Sequence, residues 1–136
     1  MLRYVDYQDW VDYVVRIFGK FKTEPERVLD VACGTGLSFP DLRDAVGAEG
    51  EVIGVELTPE MIGLARRRVA RNGWKNLTVL ESSMEQANIP PGLDAVLFHF
   101  THDVLRSPIA LERVFSATRT DARIAFAGMK YAPWWA

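Results

Sequence analysis

Short apolar runs alternate along this chain with longer segments in which apolar residues recur every three or four positions. Five runs rich in valine, isoleucine and leucine predict β-strands at Arg27–Ala32, Glu51–Glu56, Leu77–Glu81, Leu93–Phe98 and Ala122–Gly128. The periodic segments predict helices near residues 37–45, 59–71 and 107–118, and Asp121 breaks the pattern before the last strand. Strands that alternate with helices imply right-handed crossovers and a parallel sheet covered on both faces. The predicted fold class is therefore α/β, a doubly wound parallel sheet.

Polar residues near the helix ends supply caps. Thr58 and Ser107 each precede a proline, so both are predicted N-caps with proline at the first helical position. In the helix that begins after Thr58, the positions predicted to face the sheet are Met61, Leu64, Ala65 and Val69. The segment before the first strand predicts a further amphipathic helix from about Tyr7 to Phe21. The aromatic residues in this segment or just before it are predicted to pack in the core or to lie on the surface: Tyr4, Tyr7 and Trp10.

Composition and charge restrict the classes of function. The 136 residues, 49% of them hydrophobic, suffice for a single domain over 1–136 that folds without a disulfide or a metal. The formal net charge of −2 gives no general attraction to a phosphate backbone or an anionic lipid surface. Neither a nucleic-acid partner nor a membrane partner is expected, and no spacing of cysteine and histidine predicts a metal site.

Cys33 is the single cysteine, which excludes an intrachain disulfide and favours a reducing compartment. Nothing near Cys33 in the sequence would lower its pKa, so it is predicted to fill space as a small apolar residue. The first residues lack the uninterrupted apolar run of a signal peptide, and no stretch is long enough to span a bilayer. We therefore expect a cytoplasmic protein.

The stretch from Val28 to Gly36 carries the strongest chemical signal. Apolar residues surround one carboxylate, Asp30, and Gly34 and Gly36 then turn the chain into the next helix. Glycine has no Cβ, so a ligand can approach the backbone closely at the carboxyl end of a central parallel strand. The following helix start favours polar or anionic groups, so the stretch predicts a ligand-binding turn.

The sequence Asp30-Val-Ala-Cys-Gly34-Thr-Gly36 resembles the first motif of class I S-adenosylmethionine-dependent methyltransferases, in which an acidic residue precedes a G-x-G turn. The resemblance extends from about Val28 to about Gly128. It implies a Rossmann-like sheet of order 3-2-1-4-5, S-adenosylmethionine as cofactor and in-line methyl transfer to a small-molecule acceptor. The sixth and seventh strands of the family have no counterpart in this sequence.

The resemblance also implies roles for individual residues. In the family, a helix before the first strand often helps close the cofactor site, which makes Tyr4, Tyr7 and Trp10 candidates for a ligand contact. Asp30 would attract the ammonium of the methionine end, and Glu56 would accept hydrogen bonds from the ribose hydroxyls. Ser83 stands where the family usually has an acidic residue for the adenine amino group, beside Met84 as an apolar contact to the ring. The full set of predicted cofactor-binding residues is Asp30, Ala32, Gly34, Gly36, Glu56, Leu57, Ser83, Met84 and Phe98.

A nicotinamide dinucleotide site is an alternative, because it uses the same strand, glycine turn and ribose-binding carboxylate. Its G-x-G-x-x-G fingerprint needs a third glycine three residues after Gly36, where this chain has Phe39. That glycine brings the helix close to the sheet around a pyrophosphate, a group that S-adenosylmethionine lacks. Phe39 therefore favours the methyl donor.

His99 and His102 follow the fourth strand, where the transferred methyl group should emerge. Methyl transfer needs a base only if the nucleophile keeps its proton until attack, and either histidine is a candidate for that base. Alternatively, one histidine bonds the loop backbone and the other is solvated.

The residues after the fifth strand include an apolar group: Tyr131, Trp134 and Trp135. The missing sixth and seventh strands would leave the fifth strand as an open edge. The sequence favours a piece of a longer methyltransferase, and the alternative is a homodimer through the fifth-strand edge or the aromatic tail. A non-catalytic module for S-adenosylmethionine binding or for assembly is the second class of function.

Overall fold

The computed structural model describes residue 16 and residues 25–99 and 101–127. Its elements in chain order are β1 (Arg27–Val31), α1 (Phe39–Val46), β2 (Glu51–Glu56), α2 (Pro59–Asn72), β3 (Leu77–Glu81), β4 (Leu93–His99), α3 (His102–Leu105), α4 (Pro108–Ala117) and β5 (Thr118–Ala127). The five strands form one sheet in the order β3-β2-β1-β4-β5, and all four neighbouring pairs are parallel. The predicted class and strand order are confirmed.

The sheet is buried on both faces because β1, its central strand, alternates its side chains between two apolar clusters. Val28 packs in the cluster that contains Phe39 and Leu42 of α1 and Ala65 of α2. Leu29 and Val31 belong to the opposite cluster, which contains the α4 residues Ala110, Val114 and Ala117. The central strand therefore reads as a nearly continuous apolar run, as expected of a buried parallel strand.

Polar side chains tie the strands together at their amino ends. Asp94 accepts backbone N–H groups of Glu26 at 2.6 Å and of Arg27 at 2.8 Å, which joins β4 to β1. Asn76 donates through Nδ2 to the carbonyls of Gly47 and Gly50, which joins the start of β3 to the loop before β2. We call Asp94 and Asn76 the amino-end ties. They lie at the amino ends of the strands, whereas the glycine turn lies at the carboxyl end of β1.

The fifth strand differs from its prediction, since it begins at Thr118 rather than at Ala122. Leu93 of β4 lies opposite Thr118, whereas Ala95 lies opposite Arg123, so the register shifts between these pairs. Asp121 falls within this bulge. A bulge interrupts the alternation of side chains, which explains why the pattern breaks at Asp121 although the strand continues.

Helix α2 is rotated relative to its prediction. Met61 and Leu64 are 42% and 49% exposed, whereas Ile62 and Ala65 are buried against the sheet. The inward prediction is therefore wrong for Met61 and Leu64, because the buried stripe begins one residue after Met61. Thr58 occupies the N-cap position without a side-chain hydrogen bond.

The other predicted cap is confirmed, since Ser107 Oγ accepts the Ala110 N–H at 3.2 Å. The predicted N-terminal helix lies outside the described residues except for Arg16, which is helical and exposed. The aromatic residues predicted to pack, to contact a ligand or to mediate association also lie outside the described residues: Tyr4, Tyr7, Trp10, Tyr131, Trp134 and Trp135. None of the helices in the described part of the chain has the length and hydropathy needed to cross a membrane.

Candidate cofactor-binding site

The turn after β1 is shaped by residues with positive φ. Gly34 and Gly36 have φ of 58° and 82°, and Ala32 has φ of 56°, which is uncommon for a residue with a Cβ. The Cys33 N–H donates to the Val55 carbonyl at 3.0 Å, and the Gly36 N–H donates to the Cys33 carbonyl at 3.0 Å. The turn is therefore fastened to the end of β2.

Glu56, the last residue of β2, accepts two backbone hydrogen bonds through its carboxylate. Its Oε2 accepts the Gly34 N–H at 3.0 Å, and its Oε1 accepts the Thr58 N–H at 3.2 Å. Each carboxylate oxygen has two lone pairs, so each retains the capacity for one further hydrogen bond. The side chain is thus oriented by the protein and still able to accept two hydroxyl groups from a ligand.

Phe39 occupies the space that a third glycine would leave open between helix and sheet. Its side chain is fully buried, and a Cβ built on Gly36 would collide with its ring. A Cβ built on Gly54 would lie 2.9 Å from Phe39 Cζ and 2.9 Å from Cys33 Sγ. The ring therefore separates α1 from the sheet, in agreement with the prediction that this turn is not built around a pyrophosphate.

Cys33 is buried beside the turn, and three factors raise the pKa of its thiol: burial first, then the negative charges of Asp30 and Glu56. A thiol with a raised pKa is a poor nucleophile at neutral pH. The structure therefore agrees with the prediction that Cys33 fills space in the turn.

A cavity of about 330 Å³ opens at the carboxyl edge of β1 and β2. Five predicted cofactor-binding residues line it: Ala32, Glu56, Leu57, Ser83 and Met84. The other lining residues were not predicted to bind the cofactor: Val31, Val55, Thr58, Ser82, Glu85, Asp103 and Val104. The structure thus brings the ends of β1 and β2, the loop after β3 and α3 around one space.

Four other predicted residues are not part of the cavity wall. Gly34 contacts the cavity-lining residue Glu56, to which it donates its N–H. Gly36 lies at the end of the turn, where it donates its N–H to the Cys33 carbonyl. Phe98 is buried in the core, where its ring stacks on Phe126 with the centroids 5.1 Å apart. Asp30 is buried within β1.

Asp30 is a carboxyl group inside the sheet, with 1% of its surface exposed. Its Oδ2 atom has no hydrogen-bond partner among the described residues. Burial, followed by the negative charge of Glu56, raises the pKa of Asp30 to about 8. A buried and unpartnered carboxyl oxygen is costly for stability, so a group of this kind points to a ligand or a function.

The charged residues of the cavity wall are all acidic: Glu56, Glu85 and Asp103. Neither lysine nor arginine is among the residues that line it. Such a wall suits a ligand with positive charge and disfavours a pyrophosphate. Glu85 and Asp103 were not predicted from the sequence because both lie outside the strand ends, although they directly follow the predicted site residues Met84 and His102.

Two arginines hold the backbone around the cavity in place. Arg68 of α2 donates through Nε to the Thr35 carbonyl at 3.1 Å, within the glycine turn. Arg113 of α4 donates through Nε to the Glu85 carbonyl at 2.6 Å and through Nη1 to the Ala87 carbonyl at 3.2 Å. The turn is therefore anchored by α2, and the loop after β3 is anchored by α4.

The two predicted catalytic histidines are close in sequence to Asp103 and Val104, which line the cavity. His99 is the last residue of β4, and His102 is the first residue of α3. Their side chains lie outside the described part of the structure, so a catalytic role for either histidine stays a prediction.

Comparison with known proteins now decides the family. A family model described as a methyltransferase domain matches residues 28–121, which include β1, the glycine turn and the cavity wall. The chain belongs to this methyltransferase family.

Individual methyltransferases agree with this assignment. The chain is 31% identical over 103 residues to the aklanonic acid methyltransferase DauC of Streptomyces sp. strain C5, covering 74% of this chain and 47% of DauC. It is 52% identical over 54 residues to the 23S rRNA (uracil(1939)-C(5))-methyltransferase RlmD of Shewanella sp. strain ANA-3, covering 39% of this chain and 11% of RlmD. The chain thus spans less than half of the length of either relative.

A solved structure agrees with the fold of this methyltransferase domain. The crystal structure of a SAM dependent methyltransferase from Aquifex aeolicus superposes with a TM-score of 0.74 and 28% identity, covering 90% of this chain and 68% of that chain. The resemblance to class I S-adenosylmethionine-dependent methyltransferases is confirmed, together with S-adenosylmethionine as the cofactor of such proteins.

Proposed function

We propose that this domain binds S-adenosylmethionine in the cavity at the carboxyl edge of β1 and β2 and transfers its methyl group to a small-molecule acceptor. The observation that carries the proposal is Glu56, whose carboxylate is oriented by the N–H groups of Gly34 and Thr58 and lines the cavity. A carboxylate held in this way can accept hydrogen bonds from both hydroxyls of a ribose.

The charge of the cavity supports a cationic ligand. S-adenosylmethionine carries a sulfonium and an ammonium, whereas a nicotinamide dinucleotide carries a pyrophosphate. The charged side chains of the wall are Glu56, Glu85 and Asp103, and these attract the first ligand and repel the second. The proposal therefore separates two cofactors that use the same strand and glycine turn.

The remaining cofactor contacts follow from the lining residues. Leu57 and Met84 supply apolar surface for the adenine ring, and the Ser83 hydroxyl supplies a hydrogen bond to its amino group. Leu57 is 63% exposed, so a bound ring would cover an apolar side chain that now faces solvent. Asp30 does not line the cavity but directly precedes the lining residues Val31 and Ala32, and it is assigned to the ammonium of the methionine end.

The reaction requires little covalent chemistry from the protein. The acceptor atom attacks the methyl carbon in line with the S–CH₃ bond, that bond breaks, and its electron pair stays on sulfur as a neutral thioether. Proximity and alignment supply much of the rate in such a displacement. If the acceptor keeps its proton until attack, His99 or His102 is the proposed base.

The small-molecule acceptor is supported by the name of DauC and by the acidic cavity wall, which disfavours a polyanion. The name of RlmD, an rRNA methyltransferase, makes RNA the second class of acceptor to test. Turnover should be measured as S-adenosylhomocysteine formed with panels of phenols, thiols and amines and with rRNA. Turnover on rRNA alone would contradict the small-molecule assignment.

The cofactor assignment is tested by calorimetric titration with S-adenosylmethionine, S-adenosylhomocysteine and NAD. We expect saturable binding of the first two ligands and none of NAD. Glu56→Gln should weaken binding at least tenfold, because a hydrogen bond to a charged group contributes about 1.5–3 kcal/mol. Glu81→Gln is the matched control, because Glu81 lies opposite Glu56 in the β2–β3 register but does not line the cavity.

Equal losses in the two variants, or binding of NAD alone, would contradict the proposed site. Binding of S-adenosylmethionine without turnover on either acceptor class would instead favour a non-catalytic binding module.

A further inference from the structure

Asp30 is the one carboxyl group in the described core that the fold does not explain. It lies opposite Gly54 of β2 and Leu97 of β4 in the centre of the sheet. Its side chain is 1% exposed, and its Oδ2 atom has no hydrogen-bond partner among the described residues. An ionised carboxylate in this position would be both desolvated and unpaired, which costs several kcal/mol in typical proteins.

The ionisable groups that act on Asp30 within the described residues come from two elements. Glu56, from β2, places a negative charge near Asp30, and Cys33, from the turn, lies close enough for Asp30 to raise the pKa of its thiol. The neighbouring residue of β4 is Leu97, which carries no charge. Among the described residues, β2, the turn and β4 thus place no cation beside Asp30 to stabilise its ionised form.

We propose that Asp30 is a neutral carboxylic acid in the ligand-free domain and releases its proton to solvent when the ammonium of the cofactor binds. The inference rests on the proposed function. The O–H bond of the carboxylic acid breaks, the proton leaves to bulk water, and no other covalent bond changes. The bound ammonium then supplies the positive charge that the fold omits, so the carboxylate is stable only when the ligand is present.

This coupling makes cofactor affinity depend on pH. Below the pKa of Asp30, which burial and Glu56 raise to about 8, each binding event must remove one proton. The association constant should then rise about tenfold for each pH unit between roughly pH 5.5 and pH 7, and about 0.9 proton should be released at pH 7. The α-amino group of the ligand, with a pKa near 7.7–8.0, stays protonated over most of that range.

The test is calorimetric titration of the chain with S-adenosylmethionine at pH 7 in buffers of different ionisation enthalpy, which counts released protons directly. The same titrations at several pH values give the slope of affinity. S-adenosylhomocysteine keeps the ammonium, and 5′-methylthioadenosine keeps the adenine and ribose but lacks it. We expect proton release with the first two ligands and none with the third.

Asp30→Asn is the matched variant, since asparagine has nearly the same shape and no ionisable proton. It should bind S-adenosylmethionine more weakly at pH 7, with no proton release and a flat dependence on pH. Because the variant keeps His99 and His102, any proton release that persists in it belongs to other groups. Infrared spectroscopy of the unaltered chain gives a second readout, the loss of a carboxylic acid band on ligand binding.

The outcomes separate this inference from the proposed function. Binding of S-adenosylmethionine with no proton release, or with the same release in Asp30→Asn, overturns the proton coupling and leaves the cofactor assignment intact. Absence of binding at every pH overturns the cofactor assignment and the coupling with it.

Discussion

The backbone N–H of Gly34 donates to the Oε2 atom of Glu56 over 3.0 Å, although the two residues are 22 positions apart in the chain. The contact joins the glycine turn to the end of β2. It makes the same carboxylate part of the turn and part of the cavity wall. The site is therefore held in shape before any ligand is present, as efficient binding requires.

Glu56→Gln should also reduce stability slightly. A glutamine side chain keeps one acceptor oxygen for Gly34 or Thr58, but its amide nitrogen cannot accept the second N–H. We expect the free energy of unfolding in urea to fall by about 1 kcal/mol. Glu81→Gln should change it by less than about 0.5 kcal/mol, as is usual for exposed positions. A loss above about 3 kcal/mol would show that Glu56 is mainly a structural residue.

Arg68→Met should weaken S-adenosylmethionine binding by about threefold to tenfold, because it removes the hydrogen bond that holds the Thr35 carbonyl in the turn. Arg67→Met is the matched control on the same helix. It removes the same charge, but Arg67 is exposed and no hydrogen bond of the described residues involves it. Equal losses in the two variants would assign the effect to long-range charge instead of the contact with Thr35.

Asp30 should make the ligand-free domain less stable as pH rises. Its pKa is about 8 in the folded state and about 3.9 in an unfolded chain, so between these values the folded state holds a proton that the unfolded state has lost. The free energy of unfolding then falls with rising pH through this window. Asp30→Asn cannot lose this proton, so between pH 4 and pH 8.5 the unaltered chain should lose on the order of 5 kcal/mol of unfolding free energy relative to the variant. Parallel stability curves for the two proteins would refute the raised pKa.

Gly36→Ala should destabilise the domain far more than Gly73→Ala does. Both glycines have positive φ, 82° and 64°, but a Cβ on Gly36 meets the Phe39 ring, whereas a Cβ on Gly73 meets open space. We expect a loss of about 1 kcal/mol at Gly73 from backbone strain and of more than about 3 kcal/mol at Gly36. Similar losses in urea unfolding would mean that Phe39 moves aside easily.

The parts of the fold that the sequence predicted well are those set by local burial. The bounds predicted for β2 and β3 agree with the structure at both ends, because each strand is a run of apolar residues closed by a carboxylate. The rotation of α2 could not be predicted in this way. Met61, Ile62, Leu64 and Ala65 are all suitable for a buried face, and only packing against the sheet selects Ile62 and Ala65.

The candidate site likewise contains some residues that could be predicted from the sequence and others that could not. Asp30, Gly34 and Glu56 could be predicted because they lie within, just after and at the end of strands that the apolar pattern located. Glu85 and Asp103 were missed because they reach the cavity from a loop and a short helix whose positions depend on tertiary contacts, such as the hydrogen bond from Arg113 to the Glu85 carbonyl. The sequence thus located Glu56, the proposed ribose ligand, and the three-dimensional fold added the two other acidic residues of the cavity wall.

The amino-end ties have a consequence for how this domain can change. Asp94 and Asn76 fasten neighbouring strands at one edge of the sheet, while the cavity and its loops occupy the other edge. Substitutions in the loops around the cavity leave these ties untouched, so we expect them to cost little folding free energy. The amino ends of the strands therefore maintain the fold, and residues at the carboxyl ends can be substituted to change which ligands bind without unfolding the domain.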